Sequence, residues 1–174
     1  MAFRIETPRL VIRLFREEDI PLFVAVHQKP EVITYLPKRS AEEHTKFLQD
    51  TLSYGDIPLN RWVIEEKSTG NFIGSCLLRE FDKGNPEVVE IGYSFDTPYW
   101  GKGYGTEMAL AIKEYAFTLP NVKKLVAVTE QENVASKSVL LKTGLVAKGT
   151  VVRYPETLEL SYFEYEPPIS LTFE

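Results

Sequence analysis

The chain has a single cysteine, Cys76, and only two histidines, His27 and His44. One thiol excludes an internal disulfide and suits a reducing compartment. Cys76 sits in the apolar run Phe72-Ile-Gly-Ser-Cys-Leu-Leu78 and reads as a small core residue. The two histidines are far apart in the sequence, so no zinc site is expected. No apolar run approaches the ~20 residues of a membrane span. Met1 to Arg13 lacks the apolar segment of a signal peptide, so the expected location is cytoplasmic, with no membrane partner. There is no basic block, and the net charge is −5. That excludes the cationic face of a nucleic-acid binder. An acidic balance is compatible with amine or basic-peptide partners, and equally with plain solubility. Repeats, low-complexity segments and long linkers are also missing, so residues 1–174 read as one domain. A chain of this length buries enough apolar surface to need no staples.

Glycine is sparse too, with 10 in 174 residues, yet three alternate in Trp100-Gly-Lys-Gly-Tyr-Gly-Thr106. This run joins the strand-like Val88–Phe95 to the helix-like Glu107–Thr118. Glycines here let the backbone take positive φ and approach a ligand closely. A helix N-terminus just behind them offers free N–H groups to an anion. A nucleotide P-loop needs Gly-Lys-Ser/Thr, which does not occur here. The spacing also fails the dinucleotide fingerprint, and no kinase motifs follow. A phosphate-bearing ligand of another kind, or a bare tight turn, remains.

Apolar alternation at Leu10, Ile12 and Leu14 predicts a half-buried strand. Acidic residues Glu17–Asp19 before Pro21 start a helix reaching His27. Ser40-Ala-Glu-Glu43 has capping-box spacing, and the helix it opens buries Phe47, Leu48 and Leu52. Arg61–Glu66 and Asn71–Arg79 read as strands around a turn, followed by strand Glu87–Phe95. Helix Thr106–Thr118 turns Ala109, Ile112 and Ala116 inward. Strand Lys124–Thr129, helix Ala135–Lys142 stopped by Gly144, and strands Leu145–Tyr154 and Leu158–Tyr165 complete the chain. The order β-α-α-β-β-β-α-β-α-β-β predicts a mixed α+β domain: one mostly antiparallel sheet of about seven strands with about four helices on its faces.

Tyr99-Trp-Gly-Lys-Gly-Tyr-Gly-Thr-Glu107 resembles motif A of the GNAT N-acetyltransferases, in the form seen in the RimJ/RimL-type branch. Gly103 and Gly105 match the motif's two small positions, while Trp100 stands where Arg or Gln is usual. Glu6-Thr-Pro-Arg-Leu-Val-Ile-Arg-Leu14, Glu90-Ile-Gly-Tyr-Ser-Phe95, Asn133-Val-Ala-Ser136 through Gly144-Leu145, and Gly149–Arg153 resemble further segments of that branch, in order. The likeness covers nearly the whole chain and implies the GNAT fold.

It also implies acetyl-CoA as cosubstrate, with no metal. The pyrophosphate would lie over the amides of Gly101, Lys102, Gly103, Tyr104, Gly105 and Thr106. Lys102 either adds charge or is solvated. The pantetheine arm would pair with the backbone of Ile91 to Phe95, with Tyr93 and Phe95 as walls or as plain core. Asn133 suits a pantetheine amide and equally a helix cap. Ser136, at the position assigned in this branch as proton donor to the leaving thiolate, either donates or only positions the sulfur. Glu90 is the first candidate for the base, with Glu159 or Glu164 as alternatives. Strand N–H groups near Gly92 would meet the oxyanion.

The acceptor would be a primary amine, on a small molecule or on a protein N-terminus, ribosomal proteins included. Tyr35, Trp62, Arg153 and Tyr154 are expected to line its pocket. A non-catalytic acyl-CoA sensor on the same fold is the alternative reading. Monomer and homodimer both stay open.

Overall fold

The computed structural model describes residues 2–153 and 158–168. Its elements run β1 (Arg4–Glu6), β2 (Leu10–Leu14), α1 (Ile20–Val26), α2 (Ala41–Ser53), β3 (Arg61–Glu66), β4 (Phe72–Glu80), β5 (Val88–Phe95), α3 (Tyr104–Ala116), β6 (Lys124–Thr129), α4 (Val134–Lys142), β7 (Val146–Arg153) and β8 (Leu158–Tyr165). The strands form one sheet in the order β1-β2-β3-β4-β5-β6-β8-β7. Every neighbouring pair is antiparallel except β5 and β6.

The sheet has eight strands where about seven were expected. The opening segment supplies two, because Thr7 N–H bonds to Leu10 C=O at 3.0 Å and folds it back on itself. Helix α3 begins at Tyr104 instead of Thr106. Gly103 is the reason: at φ +80° it caps the helix in the left-handed region. Tyr154 and the connection between the last two predicted strands, 155–157, lie outside the described residues.

Strand side chains alternate between two covered faces. On one, Leu10, Ile12, Trp62, Ile64, Cys76, Leu78, Val89, Ile91 and Phe95 pack with Met108, Ala109, Ile112 and Ala116 of α3 and Leu140 of α4. On the other, Phe15, Ile20, Phe23, Leu48 and Val63 join α1 and α2 to the sheet. The Ser40–Glu43 capping box forms as predicted, with Glu43 N–H donating to Ser40 Oγ at 3.1 Å. On this second face Arg13 is buried between Asp19 at 2.7 Å and Glu65 at 2.5 Å. Asp19, read from sequence as a helix-start acid, thus also neutralises a buried guanidinium.

Gly74 of β4 has no room for a side chain. A Cβ there would lie 2.3 Å from the Ser94 carbonyl oxygen and 3.1 Å from Phe95 Cα. Both are backbone atoms of the paired strand and cannot rotate away. Gly74→Ala is therefore expected to destabilise the fold by about 3 kcal/mol, lowering Tm by roughly 10 °C in a thermal melt. An unchanged melt would mean that the β4–β5 spacing relaxes freely.

Candidate active site

Strand β5 is paired on both sides only at its start. Val88, Val89 and Glu90 pair with Lys124, Leu125 and Val126 of β6. Beyond Glu90 the two parallel strands separate, while β5 stays on β4 as far as Phe95. The ladder is phased by Phe81 N–H to Val88 C=O and Asp96 N–H to Ile73 C=O, both 2.9 Å. Antiparallel alternation then turns the backbone groups of Glu90, Gly92 and Ser94 toward β4. Those of Ile91, Tyr93 and Phe95 face the gap. So Tyr93, and not Gly92, presents the free N–H near the split. The Phe95 carbonyl is occupied, since Trp100 Nε1–H donates to it at 2.8 Å. That bond gives Trp100 a structural role in folding the glycine turn back onto β5.

The turn then leads straight into α3. Gly101 and Gly103 have φ of 69° and 80°. The first helical bond runs from Glu107 N–H to Gly103 C=O, so the amides of Tyr104, Gly105 and Thr106 lie outside the helical ladder. They leave a helix end with three N–H groups outside the ladder beside the open edge of β5. Gly105 serves packing as well: a Cβ there would meet Val139 Cγ2 of α4 at 3.1 Å. The Tyr104 ring is buried, and its hydroxyl donates to Glu66 at 2.6 Å, so only its backbone faces the turn. Lys102 is exposed, its ammonium 5.7 Å from the Tyr99 ring centre.

Sequence reading missed what holds this turn. Glu107 accepts from Thr7 Oγ1 at 2.7 Å, Arg9 N–H at 2.8 Å and Arg9 Nε at 2.6 Å. Arg9 Nη1 donates to the Lys102 carbonyl at 2.7 Å. The Thr-Pro-Arg and Gly-Thr-Glu motifs, 98 positions apart, are two halves of one clamp. Their joint presence in the chain was the available signal.

At the start of α4, Ser136 meets Tyr93 of β5 and Asn133 caps the helix. Asn133 Oδ1 accepts from Ser136 N–H at 3.1 Å, the cap geometry. Its amide N–H groups make no bond among the described residues. Ser136 Oγ lies 3.1 Å from the Tyr93 hydroxyl. Burial pushes the Tyr93 phenol up to about 12, so it stays protonated at neutral pH. Ile91 and Phe95 are buried in the core on this side.

Glu90 is on the opposite face, that of α1 and α2. It is buried, and both its oxygens accept from Arg79, at 2.8 and 3.2 Å. Next to it Gly92 is covered by the Leu77 side chain, which a Cβ there would meet at 3.3 Å, and then Ser94 Oγ meets His27 Nε2 at 2.9 Å. Glu164 lies in the same cross-strand row as Glu90, two strands away beyond Val126, and pairs with Lys124. Glu159 alternates to the α4 face, where it accepts from Thr150 at 2.6 Å. Of the three carboxylates, Glu90 alone adjoins the split.

The expected acceptor pocket is only partly assembled. Tyr35 is exposed on the segment between α1 and α2, with its hydroxyl 3.4 Å from the Glu132 carbonyl. Lys29 of that segment pairs with Asp96 at 2.5 Å, so the segment bridges the open end of the gap. Arg153 reaches from β7 to the Phe81 carbonyl and stacks over the Phe81 ring at 3.7 Å. Trp62 does not belong to this surface. It is fully buried on the α3 face, stacked on Phe3 at 4.5 Å. Position 62 falls on the inward phase of β3, which the alternation of Arg61–Glu66 encoded.

The histidines, distant in sequence, come within 5.3 Å of each other because α1 packs on α2. Among the described residues no group of three or more potential ligands could hold a metal. His27 Nδ1 lies 2.9 Å from the Phe23 carbonyl, which can only accept, so Nδ1 carries the proton and Nε2 accepts from Ser94. Burial lowers the His27 pKa to about 4, and lowers that of His44 as well. An unfolded imidazole takes its proton near 6.5. Stability is therefore full above about pH 6.5 and falls progressively as the pH drops toward 4. The loss from His27 is expected to be on the order of 3 kcal/mol. Denaturant melts at pH 7 and pH 5 would show it, and His27→Gln should flatten the difference. A wild-type stability that does not change over that range would refute it.

The split parallel pair, the glycine-capped helix end and the polar α4 start together define an acyl-transfer fold. The acetyltransferase (GNAT) domain family matches residues 9–146. The uncharacterized protein YkkB of Bacillus subtilis strain 168 is 31% identical over 157 residues, covering 87% of this chain and 90% of that protein. Among solved structures, a GNAT-family acetyltransferase of Bacillus anthracis superposes with a TM-score of 0.82 at 21% identity, covering 94% of this chain and 98% of the other. The ribosomal-protein-S5-alanine acetyltransferase of Vibrio fischeri gives a TM-score of 0.78 at 18% identity, covering 97% and 98%. The chain belongs to the GNAT acetyltransferase family, a family of acyltransferases. No helix among the described residues is long and apolar enough to cross a membrane.

Proposed function

We propose that this protein transfers the acetyl group of acetyl-CoA to a primary amine by direct attack within a ternary complex. The observation that carries the reading is the open edge of β5 running into the glycine-capped end of α3. The thioester supplies an activated acetyl group with a good leaving group.

The amides of Tyr104, Gly105 and Thr106 bind the pyrophosphate, with Lys102 adding charge at the rim. The Ile91 and Tyr93 carbonyls hold the pantetheine arm in the manner of an added strand, and Asn133 offers its amide from the start of α4. Tyr93 N–H is the donor placed for the oxyanion. The amine approaches from the α1–α2 face of the sheet, the face on which Glu90 lies. Its nitrogen forms the new bond to the acetyl carbon, the carbon–sulfur bond breaks, and the amine proton leaves to Glu90, directly or through water. A thiol with a pKa near 8.5 leaves without strong acid help. Ser136 and the Tyr93 phenol, both weaker acids than the thiol, serve by hydrogen-bonding the departing sulfur.

An α-amine, with a pKa near 7.7–8.0, is substantially neutral at pH 7 and needs only a weak base. That favours an N-terminal or similarly acidic amine over a lysine side chain. The RimJ/RimL-type likeness and the Vibrio fischeri structure's acceptor, a ribosomal-protein alanine, support the same class.

The test is a calorimetric titration with acetyl-CoA and a melt alongside, followed by thiol release with a panel of amines. Ligand at 100 times Kd should stabilise the fold by about 2.7 kcal/mol. No binding would overturn the reading. Binding without turnover of any amine would leave an acyl-CoA sensor.

A further inference from the structure

A cation on the acceptor face, Arg61, makes no ion pair among the described residues. Arg61, the first residue of β3, lies between the rings of Phe23 and Phe47, at 5.6 and 5.3 Å from their centres. Its Nη1 reaches Ser75 Oγ at 3.4 Å. The residue as a whole is half-buried, its Nε is sealed from solvent, and neither Nε nor Nη2 has a hydrogen-bond partner among the described residues. Arg39 places a second guanidinium 5.2 Å from the same Phe47 ring.

The sheet carboxylates on this face, with Asp19 and Asp96 beside it, are already engaged. Asp19 and Glu65 hold Arg13, Asp96 holds Lys29, Glu90 holds Arg79, and Glu164 holds Lys124. No ion pair involves Arg61 or Arg39 among the described residues. Burial first, and then Arg79 and Arg39, lower the Arg61 pKa to about 10, which leaves it charged at neutral pH. A buried charge of this kind is costly unless something pairs with it. Stacking on two rings offsets part of that cost and satisfies none of the remaining N–H donors.

The place of this charge in the sheet matters. Ser75, which Arg61 touches, is the cross-strand partner of Ser94 on β5. The guanidinium therefore lies about one to two strand spacings, roughly 5–10 Å, from the open edge of β5. A planar fork with free donors at that place matches a carboxylate.

We infer that Arg61, with Arg39 beside it, is a carboxylate-binding corner of the acceptor cleft, and that the acceptor carries a carboxylate roughly 5–10 Å from its amine. An acidic side chain in the first two residues of a peptide meets this description. A polycationic amine does not. The inference rests on the acetyltransferase reading above.

The test uses three peptide amides, Ala-Glu, Ala-Gln and Ala-Lys, which share their first residue and differ at the second. Each is assayed for acetylation at saturating acetyl-CoA and titrated onto the protein–CoA complex. The wild type is expected to prefer Ala-Glu over Ala-Gln by at least tenfold in kcat/KM, mainly through KM, with Ala-Lys weakest. Arg61→Met should bring the Glu and Gln peptides within about threefold of each other. Its acetyl-CoA titration reports whether the variant folds, and if it does not, Arg39→Met and the wild-type ranking decide. Equal use of the three peptides, a preference for Ala-Lys, a Glu preference that survives Arg61→Met, or neither binding nor turnover of any peptide by a CoA-binding protein would overturn the inference. Failure to bind acetyl-CoA would instead bring down the enzyme reading beneath it.

Discussion

Gly103→Val is expected to raise the Kd for acetyl-CoA by at least a hundredfold. Two effects combine. Gly103 sits at φ +80°, where a β-branched residue is a genuine outlier. Its Cβ would also press on Arg9 Nη2 at 3.3 Å, at the clamp that fixes the turn. Relief of either strain moves the amides of Tyr104, Gly105 and Thr106 off the phosphate. Hydrogen bonds to charged groups contribute about 1.5–3 kcal/mol each, so losing two costs at least a hundredfold in affinity. Gly84→Val separates strain from site. Gly84 has φ +84° with nothing within 4 Å of a Cβ, and it lies in the β4–β5 connection. It should lower Tm without altering the acetyl-CoA titration. If Gly103→Val binds acetyl-CoA as wild type does, the phosphate does not sit at this turn.

Glu90→Gln is expected to lower kcat about a hundredfold, within the usual range for loss of a general base. Acetyl-CoA affinity should stay within about twofold, because Glu90 is on the other face of the sheet from α3 and α4. The loss should be greatest at low pH and shrink as the pH rises past the pKa of the acceptor amine, near 7.7–8.0 for an α-amine. Glu90 also holds Arg79, so a purely structural role needs a control. Arg79 is 63% exposed, and Arg79→Gln breaks the same ion pair from the solvent side. If Glu90 is the base, Arg79→Gln keeps most of the turnover. Equal losses in the two variants would reduce Glu90 to an anchor for Arg79. Unaltered turnover in Glu90→Gln would remove it from the mechanism.

The elements were legible because each is declared locally. β6 and β8 match their predicted bounds, since alternation and turn residues mark both ends. The Ser40 capping box, the glycine turn and the Gly144 stop each depend on a few adjacent residues. Errors arose where the deciding partner is distant. The start of α3 depends on whether Gly103 takes a left-handed conformation, and the clamp from Arg9 and Glu107 helps fix it there. Trp62 looked like a pocket aromatic until Phe3 and Tyr115 covered it.

By itself the sequence determined the family, the element order and the place of the glycine-capped helix end, because backbone conformation, caps and alternation are properties of neighbouring residues. Only the tertiary structure decided which backbone groups of β5 are open, because that phase is set by the ladder to β4. It alone showed that Glu90 is held by Arg79 while Arg61 pairs with no acid among the described residues, and that His27 and His44 meet. Charges and rings acquire partners only when strands and helices remote in sequence are packed together, and what remains unpartnered after that packing is where the acceptor is to be sought.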